Sequence, residues 1–257
     1  MLPIEAVTVC TGYGDILAEV APYNRPLLDR WVVVTTADDE QTRAVCRACS
    51  IETVTVNREE VTREGEFSKG RLIERGLAMI GGHAWTLHLD GDVALPADLH
   101  QVLDDAHLDE SAIHGCDRLN VVGAASWDRL RSGGLWCRST PWAVHLKRPE
   151  TTVGTRVANP GFGYTPIGFW QLWHGSASVW RSFHTRTYPK HHGTAARTDV
   201  QHALQWDRRK RVHIPELVVW HLESEPAPMG ANWKGRKTAP FRPGKSPARP
   251  LSAASYR

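Results

Sequence analysis

The run Trp31-Val32-Val33-Val34-Thr35-Thr36 restricts the fold more than any other stretch of this chain. Its apolar residues do not alternate with polar ones, so both faces of the strand they form must be covered. That is the pattern of a parallel sheet with helices above and below. The neighbouring sequence supplies those layers. Ala6-Val7-Thr8-Val9-Cys10-Thr11 reads as a strand. The turn Thr11-Gly12-Tyr13-Gly14-Asp15 then leads into a helix over Ile16–Ala21, capped by Asp15 and ending near Pro22. Ala37-Asp38-Asp39-Glu40 opens a second helix, Glu40–Cys49, with Asp38 or Asp39 able to cap it, and Ile51–Val56 follows as a third strand. This alternation predicts βαβ units and a doubly wound α/β fold.

Glu66-Phe67-Ser68-Lys69-Gly70 leads into a helix over Arg71–Ile80 that Gly81-Gly82 closes. Ser68 can cap it. Lys69 stands at the helix start, where the dipole disfavours a cation; that suggests an anionic partner, although a solvated surface lysine is the commoner case. The next strand, Trp85-Thr86-Leu87-His88-Leu89, stops at Asp90-Gly91-Asp92. Leu87 and Leu89 share one face and Thr86 and His88 the other. Two acids at an apolar strand end are costly to hold together unless a cation joins them, and hard divalent cations bridge carboxylates to phosphates. Asp-Gly is also a common turn dipeptide, so this stretch alone leaves a solvated turn equally open. Pro96–Leu103 starts a further helix, and Ser111–Arg118, with His114-Gly115-Cys116-Asp117-Arg118, reads as strand and turn.

Beyond Trp127 regular periodicity fades, and residues 127–180 are rich in Gly, Pro and Trp. A loop-rich region of that length inside a compact chain is expected to carry function. Nine of the eleven tryptophans lie from Trp127 onward, where rings can stack on sugars or bases, although each alone also fits a core. Thr198-Asp199-Val200-Gln201-His202 opens a helix, Arg208-Arg209-Lys210-Arg211 is a basic run, and Leu217–Leu222 is the last strand, with His221 near its end.

The chain has 257 residues and 41% hydrophobic content, which suits one large α/β domain. No apolar run reaches the length of a membrane span and the N-terminus lacks signal-peptide form, so a soluble, cytoplasmic protein is expected. Five cysteines speak against a disulfide framework, and Cys46-Arg-Ala-Cys49 has no second pair to complete a zinc site. Net charge is only +3, but Pro226–Arg257 contains no acid and seven basic residues, Lys234, Arg236, Lys237, Arg242, Lys245, Arg249 and Arg257. That segment reads as an extended basic tail suited to a polyanion, or as a solubilising terminus.

The ordered set Asp38, Phe67-Ser68-Lys69-Gly70, Leu87–Pro96, the Gly161-Phe162-Gly163-Tyr164 loop with Pro166–His174, Asp199 and Trp220-His221-Leu222 resembles the metal-dependent glycosyltransferases of the GT-A fold, in particular glycosyltransferase family 2. The resemblance covers roughly Val7 to Arg236. It implies a mostly parallel, Rossmann-like sheet, with residues 1–110 as the nucleotide-sugar half, 111–225 as a loop-rich acceptor half and 226–257 as a basic tail. It assigns Asp92 and His221 to Mn²⁺ or Mg²⁺, and Thr11, Asp38, Lys69 and Asp90 to a nucleotide-diphosphate sugar, with a UDP-sugar favoured. Asp199 becomes the general base of an inverting transfer, and Gly168, Trp170, Trp173, Asp117 and Arg118 line the acceptor site. The Trp/Gly loop is expected to order over the bound donor. The basic residues point to DNA carrying hydroxymethylated pyrimidines, of the kind made by some bacteriophages, as acceptor, or to an anionic bacterial surface glycan. A sugar-phosphate nucleotidyltransferase would need a Gly-rich basic loop after the first strand, where this chain has the short acidic turn 11–15. A non-enzymatic nucleic-acid-binding protein would leave the acids purely structural.

Overall fold

The computed structural model describes residues 2–63, 66–81, 84–133, 158–159, 163–180, 184–185, 187–189, 195–224, 236 and 238–242. Eight strands form one sheet. They are β1 (Ile4–Val9), β2 (Arg30–Thr36), β3 (Glu52–Val56), β4 (Trp85–Leu89), β5 (Val93–Ala94), β6 (Ile113–Val122), β7 (Trp170–His174) and β8 (Arg211–Glu223). Their order is β3-β2-β1-β4-β7-β6-β8-β5. The pairs β3/β2, β2/β1, β1/β4 and β6/β8 are parallel, while β7 runs antiparallel between β4 and β6, and β5 antiparallel beside β8. The sheet is thus mostly parallel, and residues 111–225 complete the same sheet that residues 1–110 begin.

Helices cover both faces, as the Trp31–Thr36 run requires. Val33 joins a core with Leu17 and Val20 of α1 (Gly14–Asn24), Cys46 of α2 (Glu40–Ala48), Leu103 of α4 (Leu99–Asp105) and Trp127 of α5 (Ala124–Ser132). Val34, one residue on, packs against Leu72 of α3 (Lys69–Leu77) on the other face. That second face also carries Val7, Ile73, Trp173, Tyr188 and Ala203, the last from α6 (Ala195–Ala203). No helix among the described residues is long and apolar enough to cross a membrane.

Several local expectations change. Helix α1 continues through Pro22 to Asn24, and Asp15 does not cap it. Cys46 and Cys49 lie on and just after α2, and burial raises both thiols, Cys46 to about 11, so neither is a ready thiolate. Asp117-Arg118 is not a turn, because β6 runs on to Val122. The last strand spans Arg211–Glu223, with a register shift between Ile214 and Val218. Trp170–His174 is no mobile loop but a central strand buried on both faces, with Trp170 1% and Trp173 3% exposed. Much of the expected loop-rich half, residues 134–157 above all, lies outside the described residues.

Candidate active site

The carboxyl ends of β1, β2 and β4 meet at one edge, the usual position for a ligand in an open α/β sheet. The loops after β1 and β2 are tied together there, since Gly12 N–H donates to Asp39 Oδ2 at 2.6 Å. Asp39, not Asp38, caps α2 by accepting from Thr42 N–H at 3.1 Å. Asp38 is exposed and bound by Arg58 Nε at 3.0 Å, and Thr11 is half-buried at the end of β1. The Asp90-Gly91-Asp92 turn rests against the end of β1. A Cβ on Gly91 would meet Thr8 and Cys10 at an ordinary 3.4–3.5 Å, and Gly91 has no left-handed φ, so the bend does not depend on glycine.

The residue after that turn begins β5, and β5 pairs with the end of β8, placing His221 opposite Val93. Leu222 N–H also donates to Asp92 O at 2.8 Å. The strand pairing therefore carries His221 to Asp92, with Nε2 3.4 Å from Oδ1. Asp92 Oδ1 is buried and has no hydrogen-bond partner. Burial pushes the Asp92 carboxyl up, and His221 only partly offsets this. An unsatisfied carboxylate oxygen beside an imidazole nitrogen is a donor set that fits Mn²⁺ or Mg²⁺. Among the described residues no group of three or more His, Cys, Asp and Glu side chains forms a cage, and Asp92 and His221 are the pair brought together there.

The other acid of the turn has a different partner. Lys69 Nζ lies 2.9 Å from Asp90 Oδ1 and 2.9 Å from Asp199 Oδ2. The anions expected for this lysine at a helix start are thus two side chains of the same chain. Gly70 permits the approach, because a Cβ there would lie 2.2 Å from Pro189 O and 2.7 Å from Thr198 Cγ2. Lys69 is 8% and Asp199 4% exposed. Burial opposes charge on Lys69, but Asp199 and Asp90 outweigh it and hold the ammonium above its ordinary value. Burial likewise works against the Asp90 carboxylate, yet Lys69 brings it below the usual range. Asp199 is pushed up to about 7, chiefly by burial and then by the Asp90 charge, with Lys69 acting the other way.

Gly168 stands directly beneath Asp199, where a Cβ would lie 1.8 Å from Oδ2. Its place is therefore under the candidate base. Arg118 projects towards the acids, its guanidinium 4.9 Å from the Phe169 ring centroid and in the field of Asp92, Asp90 and Glu223. Three expected acceptor residues are placed elsewhere. Trp170 and Trp173 are core side chains with no face open for stacking, and Asp117 is fully buried with His213 Nε2 at 3.2 Å.

A buried polar network backs the site, and it went unread in the sequence. His88 shares strand parity with Asp90, its Nε2 3.6 Å from Asp90 Oδ1. Tyr188 donates from its hydroxyl to Gln171 Oε1 at 2.6 Å, and so accepts from His88 Nδ1 at 3.0 Å. Gln171 Nε2 donates to Asp199 O at 3.0 Å, and His202 Nδ1 reaches Gln171 Oε1 at 3.1 Å. Burial, with Lys69 nearby, lowers His88 to about 3, so it is neutral. Only the i, i+2 spacing of His88 and Asp90 could have signalled this network.

Of the basic features, the 208–211 run lies apart from this edge, whereas Arg236 lies at it, donating to Gly12 O at 3.3 Å and to Ser224 Oγ at 3.0 Å. Arg211 begins β8 opposite Ile113 and His221 stands opposite Asn120, seven residues on along β6, about 23 Å at strand rise. Lys210 is engaged by Asp109 at 2.7 Å. In the tail, Arg236 binds Asp15 through both nitrogens, and Arg242 binds Glu19 and Asp128. These two residues are docked on α1 and α5, contrary to the expected extended tail. Lys234, Lys237, Lys245, Arg249 and Arg257 lie outside the described residues.

No protein-family model and no curated protein matches this chain. Glucosyl-3-phosphoglycerate synthase from Mycobacterium tuberculosis, solved with Mn²⁺ and UDP-glucose, is similar at 14% identity, with 89% of this chain and 73% of that chain covered and a TM-score of 0.48. A mycobacterial protein gives 14% identity, 89% and 69% coverage and a TM-score of 0.47. Mannosyl-3-phosphoglycerate synthase from Rubrobacter xylanophilus gives 17% identity, 46% and 40% coverage and 0.35. At such scores the likeness carries no weight.

Proposed function

We propose that this chain is a divalent-metal-dependent glycosyltransferase that moves a sugar from a nucleotide-diphosphate sugar, of the UDP type, to a hydroxyl group. The observation that carries this reading is the division of labour at one strand end. Asp92 faces His221, while Asp90 faces Lys69 and Asp199. Asp92 Oδ1 and His221 Nε2 would hold Mn²⁺ or Mg²⁺. When bound, the ion supplies positive charge beside the donor diphosphate, where negative charge grows as the sugar departs. Thr11 and Asp38, on the adjoining loops, take the nucleoside, and Asp90 with Lys69 orients the donor sugar and its phosphate.

Asp199 is the general base. A carboxyl held near pH 7 is poised to accept a proton at neutral pH, and burial is what holds it there. In the transfer, the acceptor oxygen bonds to the anomeric carbon as its proton passes to Asp199. The bond from that carbon to phosphate breaks, and the nucleoside diphosphate leaves with the electron pair. Attack opposite the leaving group inverts the anomeric centre, and no enzyme nucleophile is needed. Gly168 and the Gln171–Asp199 contact keep the base in position. Arg118 is left as the cationic group for the acceptor side, and Trp170, Trp173 and Asp117 carry no part. The engagement of Arg236, Arg242 and Lys210 by acids removes part of the support for a DNA acceptor.

The test is a thermal-shift screen of nucleoside diphosphates and nucleotide sugars with Mn²⁺, followed by product analysis. We expect a metal-dependent rise in Tm with one nucleotide class and slow release of sugar from the matching donor, both absent in Asp92→Ala. Release of pyrophosphate from a nucleoside triphosphate would instead indicate nucleotidyl transfer. No shift with any nucleotide would overturn the reading.

A further inference from the structure

His221 is held between two carboxylates on opposite sides of its ring. Asp92 Oδ1 lies 3.4 Å from Nε2, and Glu223 Oε1 lies 3.3 Å from Nδ1. The two ring nitrogens point away from each other, so a cation shared by Nε2 and Asp92 is out of reach of Glu223. Glu223 is therefore not a third ligand. Nor is its carboxylate needed to hold the strand. Glu223 O already accepts from Gly123 N–H at 2.8 Å, and Leu222 N–H is bonded to Asp92 O. His221 Nδ1 and Glu223 Oε1 are both buried, and neither makes a hydrogen bond to another group. At 3.3 Å they are within hydrogen-bonding distance of each other but outside hydrogen-bonding geometry.

We propose that Glu223 is a positioning residue that accepts a hydrogen bond from His221 Nδ1–H and so presents the Nε2 lone pair to a divalent cation at Asp92. A histidine ligand needs a fixed tautomer, and a carboxylate on its far nitrogen supplies one. The i, i+2 spacing puts both side chains on one face of β8, and Asn120 of β6 stands beside His221 in register. The proposal rests on the metal reading of Asp92 and His221.

The experiment measures Mn²⁺ affinity, by the paramagnetic resonance signal of the free ion, and the His221 tautomer, by ¹⁵N NMR, at one fixed pH. Wild type, Asp92→Ala, His221→Ala, Glu223→Gln and Glu223→Leu are compared. Loss of the outer carboxylate is expected to weaken Mn²⁺ binding about 10- to 100-fold in Glu223→Leu. Glu223→Gln keeps an acceptor oxygen and should stay within a few-fold of wild type. Equal loss in the two variants would mean that only the charge matters, as a counter-ion to Arg118, and would overturn the proposal. So would unchanged affinity in Glu223→Leu while Asp92→Ala and His221→Ala lose binding. A wild-type His221 protonated on Nε2 refutes it without any variant. If wild type itself binds no Mn²⁺, or if Asp92→Ala and His221→Ala bind it as wild type does, the metal reading fails instead.

Discussion

At the scale of the residue, Gly168 and Lys69 constrain the candidate base from two sides. A methyl group at position 168 would occupy the space of the Asp199 carboxylate, which is buried and pinned by Lys69, so it cannot swing clear. Gly168→Ala is expected to displace Asp199 by roughly an ångström and to cost about 100-fold in kcat. Overpacking should take about 1–3 kcal/mol of stability as well. A variant with full kcat would remove Asp199 from the chemistry. Lys69→Met leaves the buried Asp199 and the partly buried Asp90 without their cation, a loss of about 3 kcal/mol. The sign with pH follows from Asp199. Its folded-state value, near 7, is above the unfolded carboxyl near 4, so its contribution is present at low pH and fades as pH rises between the two. Without Lys69 the carboxyls are pushed up further, and the destabilisation should be larger at pH 8 than at pH 5. Denaturant midpoints at the two pH values would show it, and an equal loss at both would contradict the ion-pair account.

At the scale of the element, the tail is tied to α1 by residues far apart in sequence. Arg236 grips Asp15 through two nitrogens and lies 5.0 Å from the Tyr13 ring centroid, while Phe241 N–H donates to Asp15 Oδ2 at 2.6 Å. Asp15 thus serves the tail rather than the helix cap. Arg236→Ala should cost about 2 kcal/mol in urea unfolding, with Asp15→Ala costing a similar amount and the double variant little more than either. Additive losses would show that the two side chains act separately. Such long-range partners mark where the sequence became illegible. The first strands and helices were readable because Val-rich runs, caps and glycine pairs are local signals. Strand β7 was not, since Phe169-Trp170-Gln171-Leu172-Trp173 sits among Gly and Pro and becomes a strand only by insertion between β4 and β6. The length of β6 was hidden by Asp117-Arg118, charged residues that are paid for by buried partners. Asp92 and His221 were joined only by the resemblance, since alone the acid also read as a turn residue and the histidine better as a core one. The contact of Lys69 with Asp199, 130 residues away, had no local sign beyond an ill-placed lysine.

At the scale of the whole molecule, the 208–211 run does not gather at the candidate site among the described residues, and Arg236 at the loop after β1 is held by Asp15. Four carboxyl groups, Asp90, Asp92, Asp199 and Glu223, are grouped there with Lys69 and Arg118. The 208–211 run stands at the other end of β8, about 23 Å from His221 along the seven residues of β6 between their partners. Arg208 and Arg209 are its exposed members, while Arg211 donates to Thr165 Oγ1 at 3.1 Å. Each phosphate contact contributes about 0.9 to the slope of log affinity against log salt. Two arginines therefore account for a slope of about 1.8, or roughly tenfold in affinity between 50 and 200 mM salt, whereas a dedicated DNA surface of 6–10 contacts loses about 10³–10⁵. Replacing Arg208 and Arg209 together by alanine is expected to leave transfer to a small hydroxyl acceptor within about twofold of wild type, because neither reaches the reacting atoms. Any duplex-DNA binding should lose no more than that slope of about 1.8. Steady-state kinetics and a salt titration of DNA binding check the two parts. A tenfold fall in kcat/KM with unchanged fold would bring the basic run into the transfer site and return a polyanionic acceptor to first place.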